Sequence, residues 1–489
     1  MSEAARRLRR LERKKPPGAR KEAPSRTEDP RMTASQSKSN TAGLHAGGAW
    51  DLSWLRGKRV AVVVFSHYPS DPRPCRAAEA FARLGMKVEV LCLRRDDGES
   101  SREMVNGVVV RRISLKRRRG GKLSYVLQYS AFLLISFVVL TFRALTRRYH
   151  LVHVHNMPDV LVFAALVPKL FGAKVILDLH DPMPELMMTI YGLRPDSFGV
   201  RLLQRFERWS IRFADAVLTV NLACKRLFTA RGCPPEKVRV VMNSPDAHIF
   251  ERRNGQPKTL ANGDLKPFVI MYHGSLVERH GLDIGVSALD MVKRSVPHAE
   301  LRIYGQWTPY LEQVLASVRG THLAKSIRHL GPRTLGQIVE AIDECDVGII
   351  PNRRSIFTEI NTPTRIFEYL SRAKPVIAPA APGIRDYFSD GQLVFFELGN
   401  AADLAEKIEY VYRHPVEVKK TVASGQEVYR EHRWETEQAK LTGLAGELLM
   451  VHRQRASLGR ASGASETAAG ARVMELPVPA DQRPTGYSE

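Results

Sequence analysis

Residues 361–379, NTPTRIFEYLSRAKPVIAP, read as a short helix, a tight turn and a buried strand. Thr362 is a favoured N-cap, and Pro363 suits a first helical position. Ile366, Phe367, Tyr369 and Leu370 form an apolar face. The PVIAP run that follows is continuously apolar, as a strand covered on both sides must be. Glu368 disturbs this pattern, because an unpaired carboxylate inside an apolar run is costly. A helix starting at Thr362 aims free N–H groups and a positive dipole end outward, which suits a phosphate. Glu368 on the same helix can accept from two adjacent hydroxyls, as on a ribose. The competing reading is a surface helix whose Glu368 meets water or Arg365.

Working outward, strand and helix patterns alternate along the chain. RVAVVVFS, KVEVLCL, GVVVRRI, LVHVHN, AKVILDLH and DAVLTVN form one series of apolar runs. FVIMYHGS, AELRIYG, IRHLG, DVGIIPN, KPVIAPA and QLVFFE form a second. Two such series predict an α/β protein with two Rossmann-like parallel-sheet domains. The expected boundaries are a basic tail over 1–56, a first domain over 57–245 and a linker over 246–265. A second domain over 266–430, a closing helix over 431–454 and a tail over 455–489 follow. Both tails lack hydrophobic periodicity and are expected to be disordered.

The chain carries 74 Lys+Arg against 51 Asp+Glu, a formal charge of +23. That excess favours anionic partners such as nucleic acid, acidic lipid or phosphorylated substrates. Nucleic acid is disfavoured, because no aromatic platform, helix-turn-helix signature or finger spacing is present. The five cysteines are scattered without a C-x-x-C pair, so a reducing cytosol is expected and no zinc site is. No secretory signal precedes the first long apolar run near Val60. There is no Walker loop, no G-x-G-x-x-G after the first strand and no D-x-D in a cleft loop, so neither a cofactor nor a metal is expected.

Residues 123–145, LSYVLQYSAFLLISFVVLTFRAL, are nearly uncharged and flanked by KRRRGGK and by Arg147 and Arg148. Such a segment could span a bilayer, lie in its interface or be a core helix. Spanning would place two halves of one sheet on opposite sides of a membrane. The interfacial reading, with basic flanks on an anionic membrane surface, is therefore preferred.

Ligands of open parallel sheets bind beyond the carboxyl ends of the strands. That rule selects SHYPSDPRP with His67, Arg73 and Arg76 as acceptor-site candidates, and His180 with Asp181 after AKVILDLH. It also selects HGSLVERHG, with Gly274, Ser275, Arg279 and His280, and the segment carrying Glu359, Thr362, Pro363 and Glu368. Arg279 is the better phosphate ligand of its loop, since a guanidinium binds oxygens in pairs.

Several of these stretches, in order, resemble the retaining glycosyltransferases of the GT-B fold, family four, of the bacterial surface-polysaccharide type. PTRIFEYLSRAKPVIA is similar to their signature P-x-K-x-x-E-Y-x-A-x-G-K-P-V-I-A. YHGSLVERHGLD, LVHVHNMPDVLVFAAL, VILDLHDPMPEL and HRWETEQAKL resemble further family segments, over about residues 58–450. The resemblance implies two domains facing a cleft, the first holding the acceptor and the second a nucleotide-sugar. It also implies a last helix crossing back to the first domain. Glu368 would then hold the ribose, and the helix start at Thr362 and Pro363 would face the diphosphate. Arg279 and His280 would stand near the phosphates, with Gly274 and Ser275 lining the donor loop and His180 beside the sugar. Two departures stand out. Ile360 occupies the position of a frequent second glutamate, with Glu359 one residue earlier. Ser275 and His280 replace an arginine and a lysine. The implied activity is hexosyl transfer to a lipid-linked or glycan acceptor, at the cytoplasmic face of a membrane. A nucleotide-sugar epimerase of similar architecture is the alternative.

Overall fold

The computed structural model describes residues 51–115, 122–251 and 266–450. The expectations for residues 1–50, for the C-terminal tail and for most of the linker fall outside these residues; residues 51–56, expected in the N-terminal tail, instead join the first domain, with Leu55 buried in its core.

The first sheet has eight strands in the order β3-β4-β2-β1-β5-β6-β7-β8. Their ranges are Arg59–His67 (β1), Lys87–Leu93 (β2), Arg102–Val105 (β3), Val108–Ile113 (β4), Leu151–His155 (β5), Lys174–Leu179 (β6), Ala216–Thr219 (β7) and Val238–Val240 (β8). All pair in parallel except β3, which runs antiparallel to β4. Sequence reading missed β3. It forms a hairpin with β4 through Asn106 and Gly107, at φ 48° and 80°, the Asn-Gly pairing that a two-residue turn between twisted strands favours.

The second sheet has six strands in the order β11-β10-β9-β12-β13-β14. They are Phe268–His273 (β9), Ala299–Tyr304 (β10), Ile327–His329 (β11), Val347–Ile349 (β12), Val376–Pro379 (β13) and Val394–Phe396 (β14). Each sheet is covered on both faces by its own apolar core, which is why the strands read as unbroken apolar runs.

The strand order reverses between β1 and β5 in one sheet and between β9 and β12 in the other. Beyond these two switch points a parallel sheet opens a crevice at its carboxyl edge. A helix over residues 434–450 returns to the first domain, burying Trp434, Leu441, Leu444, Ala445 and Leu449 in the core with Val60 and Val62.

The apolar segment is a helix over Lys122–Thr146 that connects β4 to β5. It is the one described helix long and apolar enough to cross a membrane. Its inner face, with Phe132, Leu140 and Ala144, is buried on the first sheet. Its outer face leaves Leu127, Leu134, Val138, Phe142 and Leu145 exposed. These residues share one side of a 3.6-residue period. The helix therefore packs on its sheet through one buried stripe, with an apolar stripe outside. The inner face fits the buried-core reading, and the outer face is an exposed apolar stripe.

Candidate active site

The second domain's switch point is built from β9 outward. His273 ends that strand, and the loop over 274–281 follows. Gly281 lies at φ 62°, and a Cβ there would stand 2.0 Å from the Pro351 carbonyl oxygen. The glycine thus lets the β9 loop close on the backbone after β12.

The Glu368 helix spans Thr364–Ser371 and packs Ile366, Phe367, Tyr369 and Leu370 into the core. Its carboxylate is not paired with Arg365. Glu368 Oε2 lies 2.6 Å from His273 Nε2, and His273 Nδ1 lies 2.9 Å from the Tyr369 hydroxyl. That hydroxyl donates to the Met271 carbonyl at 3.0 Å. With that proton on Met271 O, His273 Nδ1 can donate to Tyr369. Oε2 is fixed by this chain, and Oε1 has no partner among the described residues. The carboxylate is held rigidly with one face uncommitted.

Arg365 turns away from Glu368. It donates to the His273 carbonyl at 2.7 Å and stacks 4.7 Å from the Tyr272 ring. Arg279 lies over Phe357 at 5.7 Å, with its buried Nε lacking a hydrogen-bond partner. Burial pushes the Arg279 pKa down, and Asp181 of the first domain pulls it partly back. Neither arginine has a carboxylate within ion-pair distance among the described residues. An uncompensated, partly desolvated guanidinium is costly, and an anion in the crevice would relieve that cost.

Three sequence expectations need correction here. His280 Nδ1 donates to the Ser275 carbonyl at 2.8 Å, and burial together with Arg365 and Arg279 pushes its pKa down to about 3. It is therefore neutral in the ligand-free chain and adds no positive charge to this loop. Thr362 does not cap the helix, because Pro363 is the N-cap. The Thr362 hydroxyl donates to Gly383 O at 2.6 Å and accepts from Asn221 at 3.0 Å. Glu359, the acid one residue before the expected second glutamate, points to exposed Arg354 at 3.7 Å, with no described contact to Glu368 or Arg279. Gly274 and Ser275 form the exposed turn after β9.

The first domain's candidates behave differently. Arg73 is buried and spends its guanidinium on both Asp178 oxygens, at 2.8 Å each, and on Val241 O at 3.0 Å. Arg76 is bonded to Asn243 and the Ser244 carbonyl and lies 5.3 Å from the Trp434 ring. Burial and neighbouring Arg73 lower its pKa to about 10, against the pull of Glu368. Both arginines therefore anchor the sheet to the interdomain segment and the returning helix, and neither is free for an acceptor phosphate. His67 Nδ1 lies 3.3 Å from Leu93 O at the end of β1.

Beneath the cleft, His153, His155 and Asp178 bring three potential metal-ligating atoms within 4.8 Å. Burial would raise the Asp178 carboxyl, but Arg73 and the histidines outweigh it and hold it well below the usual range. Burial and His153 lower His155 to about 3. With Asp178 already gripped by a guanidinium, the cluster is a fixed polar anchor. His180, next in line, is positioned by Asn156. The Asn156 side chain accepts from the backbone N–H of His180 at 3.2 Å and of Asp181 at 3.4 Å, and it donates to Asp159 at 3.0 Å and to the Asp181 carbonyl at 2.6 Å. Sequence reading missed Asn156, His273 and the cleft role of Arg365. Asn156 directly follows the LVHVH strand at a switch point, which was the available signal.

The lobes touch beside this crevice. Asn221 donates to Ile360 O at 2.8 Å and to Thr362, and Arg226 pairs with Asp386 at 2.7 Å. Two facing parallel sheets, a returning helix and unpaired cations at one switch point define the two-lobed GT-B class of transferase. Each lobe matches its own family model: residues 70–244 a "Glycosyl transferase 4-like domain" and residues 267–414 "Glycosyl transferases group 1". The chain belongs to the glycosyltransferases built from these two domains.

Among solved structures it is similar to sucrose-phosphate synthase from Thermosynechococcus elongatus, with TM-score 0.65 and 15% identity, over 81% of this chain and 100% of that one. It is similar to Anabaena HepE in complex with UDP, with TM-score 0.58 and 15% identity, over 80% and 100%. It also resembles α,α-trehalose 6-phosphate synthase from Burkholderia multivorans, with TM-score 0.58 and 13% identity, over 86% and 100%. At these identities the likeness is one of fold. A search of curated proteins returns no match.

Proposed function

We propose that the protein moves a hexosyl group from a nucleotide-sugar to a lipid-linked acceptor, with retention at the anomeric carbon. The observation that carries this reading is the set on the second lobe: Arg279 and Arg365 without carboxylate partners, beside Glu368 with one oxygen uncommitted. The two guanidiniums suit a diphosphate, and the free Glu368 oxygen suits the ribose diol. Charge building on the departing diphosphate is then met by Arg279 and the backbone N–H groups after β9, which are rigid before the reaction begins. No metal is needed for that step. The acceptor hydroxyl attacks on the face that the leaving group vacates, with His180 beside the sugar.

The acceptor assignment is supported by the exposed apolar stripe on the Lys122–Thr146 helix, which would hold the cleft close to the cytoplasmic leaflet as a peripheral enzyme. Its place in polysaccharide or glycolipid synthesis follows from that acceptor. Anabaena HepE has been solved with UDP-glucose, so uridine diphosphate sugars come first in the test. In a thermal-shift screen of nucleotide-sugars, Glu368→Ala should abolish stabilisation by the best donor. An unchanged shift would remove Glu368 from the nucleotide site. A product assay with and without lipid acceptor separates transfer from epimerisation.

A further inference from the structure

The first domain has a second polar feature, at the opposite end of its sheet from the cleft. Arg59 and Lys87 are the first residues of β1 and β2, and β1 is nine residues long. At about 3.3 Å per residue the two ends of that strand lie roughly 25–30 Å apart. Around these starting residues is a cavity of about 370 Å³, lined by Arg59, Lys87, Arg102, Arg111, Arg143 and Arg147. Its volume falls within the range of small-molecule pockets, roughly 300–1,000 Å³.

One carboxylate, Glu89, sits in this cavity. It accepts from Arg143 at 2.7 Å and from the Tyr149 hydroxyl at 2.8 Å, and it is also bonded to Arg111. Glu89 therefore neutralises one of six cations and fixes the directions of two. Arg59, Lys87, Arg102 and Arg147 have no carboxylate partner among the described residues. Nothing in the proposed transfer chemistry uses this cavity.

Its position beside the Lys122–Thr146 helix identifies the ligand. Arg143, in the last turn of that helix, and Arg147, just past its end, line the cavity. Phe142 and Leu145, 67% and 61% exposed, come from the same turn on the outside. They continue the apolar stripe of Val138 and Leu134. Cationic and apolar groups are thus offered at the same end of the helix, the arginines toward the sheet and Phe142 and Leu145 outward. We propose that this cavity binds the phosphate of an anionic phospholipid headgroup whose acyl chains lie along the exposed stripe. The inference rests on the membrane part of the function proposed above, and it converts a diffuse basic attraction into a defined site.

The test uses the full chain with sedimented vesicles of phosphatidylcholine, with and without phosphatidylglycerol. Arg102→Glu with Arg147→Glu, both at exposed positions, should weaken binding to the anionic vesicles at least about tenfold. The charge-matched pair Arg319→Glu with Lys325→Glu, in the second domain, should leave it unchanged. Leu134→Asp with Val138→Asp should also lose vesicle binding, while keeping any protection by inorganic phosphate in a thermal-shift assay. Equal losses from the cavity pair and the matched pair would mean net charge alone, and would overturn the site. Phosphate protection that the cavity pair abolishes, without any vesicle binding by the unaltered chain, would assign the cavity to a soluble phosphate and overturn the lipid. Nucleotide-sugar protection should survive the cavity pair. Its absence from the unaltered chain would fail the transferase reading and leave this one standing.

Discussion

Arginines stand beyond the carboxyl ends of strands in both domains, and the two domains use them in opposite ways. In the first domain Arg73 is locked to Asp178, and Arg76 to the interdomain segment and Trp434. Arg231 bridges Glu185 and Glu207. In the second domain Arg279 and Arg365 reach the crevice with aromatic rings beneath them and no carboxylate beside them. The difference is one of partners. A guanidinium whose carboxylate is supplied by the same fold is part of the scaffold, and one left without a counter-charge at a switch point is free to take one from a ligand.

The largest effect expected is on the scaffold side. Arg73→Ala leaves the Asp178 carboxylate buried without its partner and should cost about 3–5 kcal/mol of unfolding free energy. Denaturant unfolding would show it, with Asp178→Asn recovering part of the loss. If stability were unchanged and only the acceptor KM rose, the contrast between the domains would break.

On the ligand side, Arg279→Ala should lower kcat by roughly 10²–10³, while the ligand-free protein melts no lower than before. A large loss of Tm in the absence of donor would place Arg279 with the scaffold instead.

His280→Lys sharpens the contrast by adding a cation. With its pKa lowered to about 3, His280 is neutral throughout the working range. Its contribution to folding is present above about pH 6.5 and is lost only as the pH falls toward 3. A lysine there should raise donor affinity about fivefold, near the ~1 kcal/mol of one added hydrogen bond. Isothermal titration at neutral pH would read the change, and unaltered affinity would put His280 outside the phosphate contact.

The smallest effect concerns the carboxylates that Arg231 must serve. Burial outweighs Arg231 and lifts Glu207 to about 8 from 4.5. The folded state then binds this proton more tightly than the unfolded chain. The associated stability is complete below about pH 4.5 and is lost as the pH rises through 8. Glu207→Gln should flatten the decline of Tm between these limits by a few degrees, with Asp159, lifted to about 6 by burial, leaving a residual slope. A profile identical to that of the unaltered chain would show that Glu207 is already ionised.

Both sheets could be read from the sequence because buried parallel strands are continuous apolar runs. β3 escaped because REMV is short, polar and at an edge, and only its Asn-Gly turn announced it. Glu368 and Arg279 stood out as chemistry at strand ends. Arg73 and Arg76 stood out in the same way, and for them the reading failed. Asp178 lies 105 residues from Arg73 and Asn243 lies 167 from Arg76, and no local pattern shows which of two arginines will find such a partner. His273 was equally hidden, since Glu368 is 95 residues further on.

The order of apolar runs, the glycine and proline breaks and the spacing of polar residues at strand ends are local, and through periodicity and turn chemistry they alone determined two Rossmann-like domains. Which charges are neutralised, which oxygen of Glu368 stays uncommitted and which face of the Lys122–Thr146 helix stays bare were decided only by tertiary structure. Electrostatic pairing and burial depend on distance in space, and the fold brings together groups that the chain holds far apart.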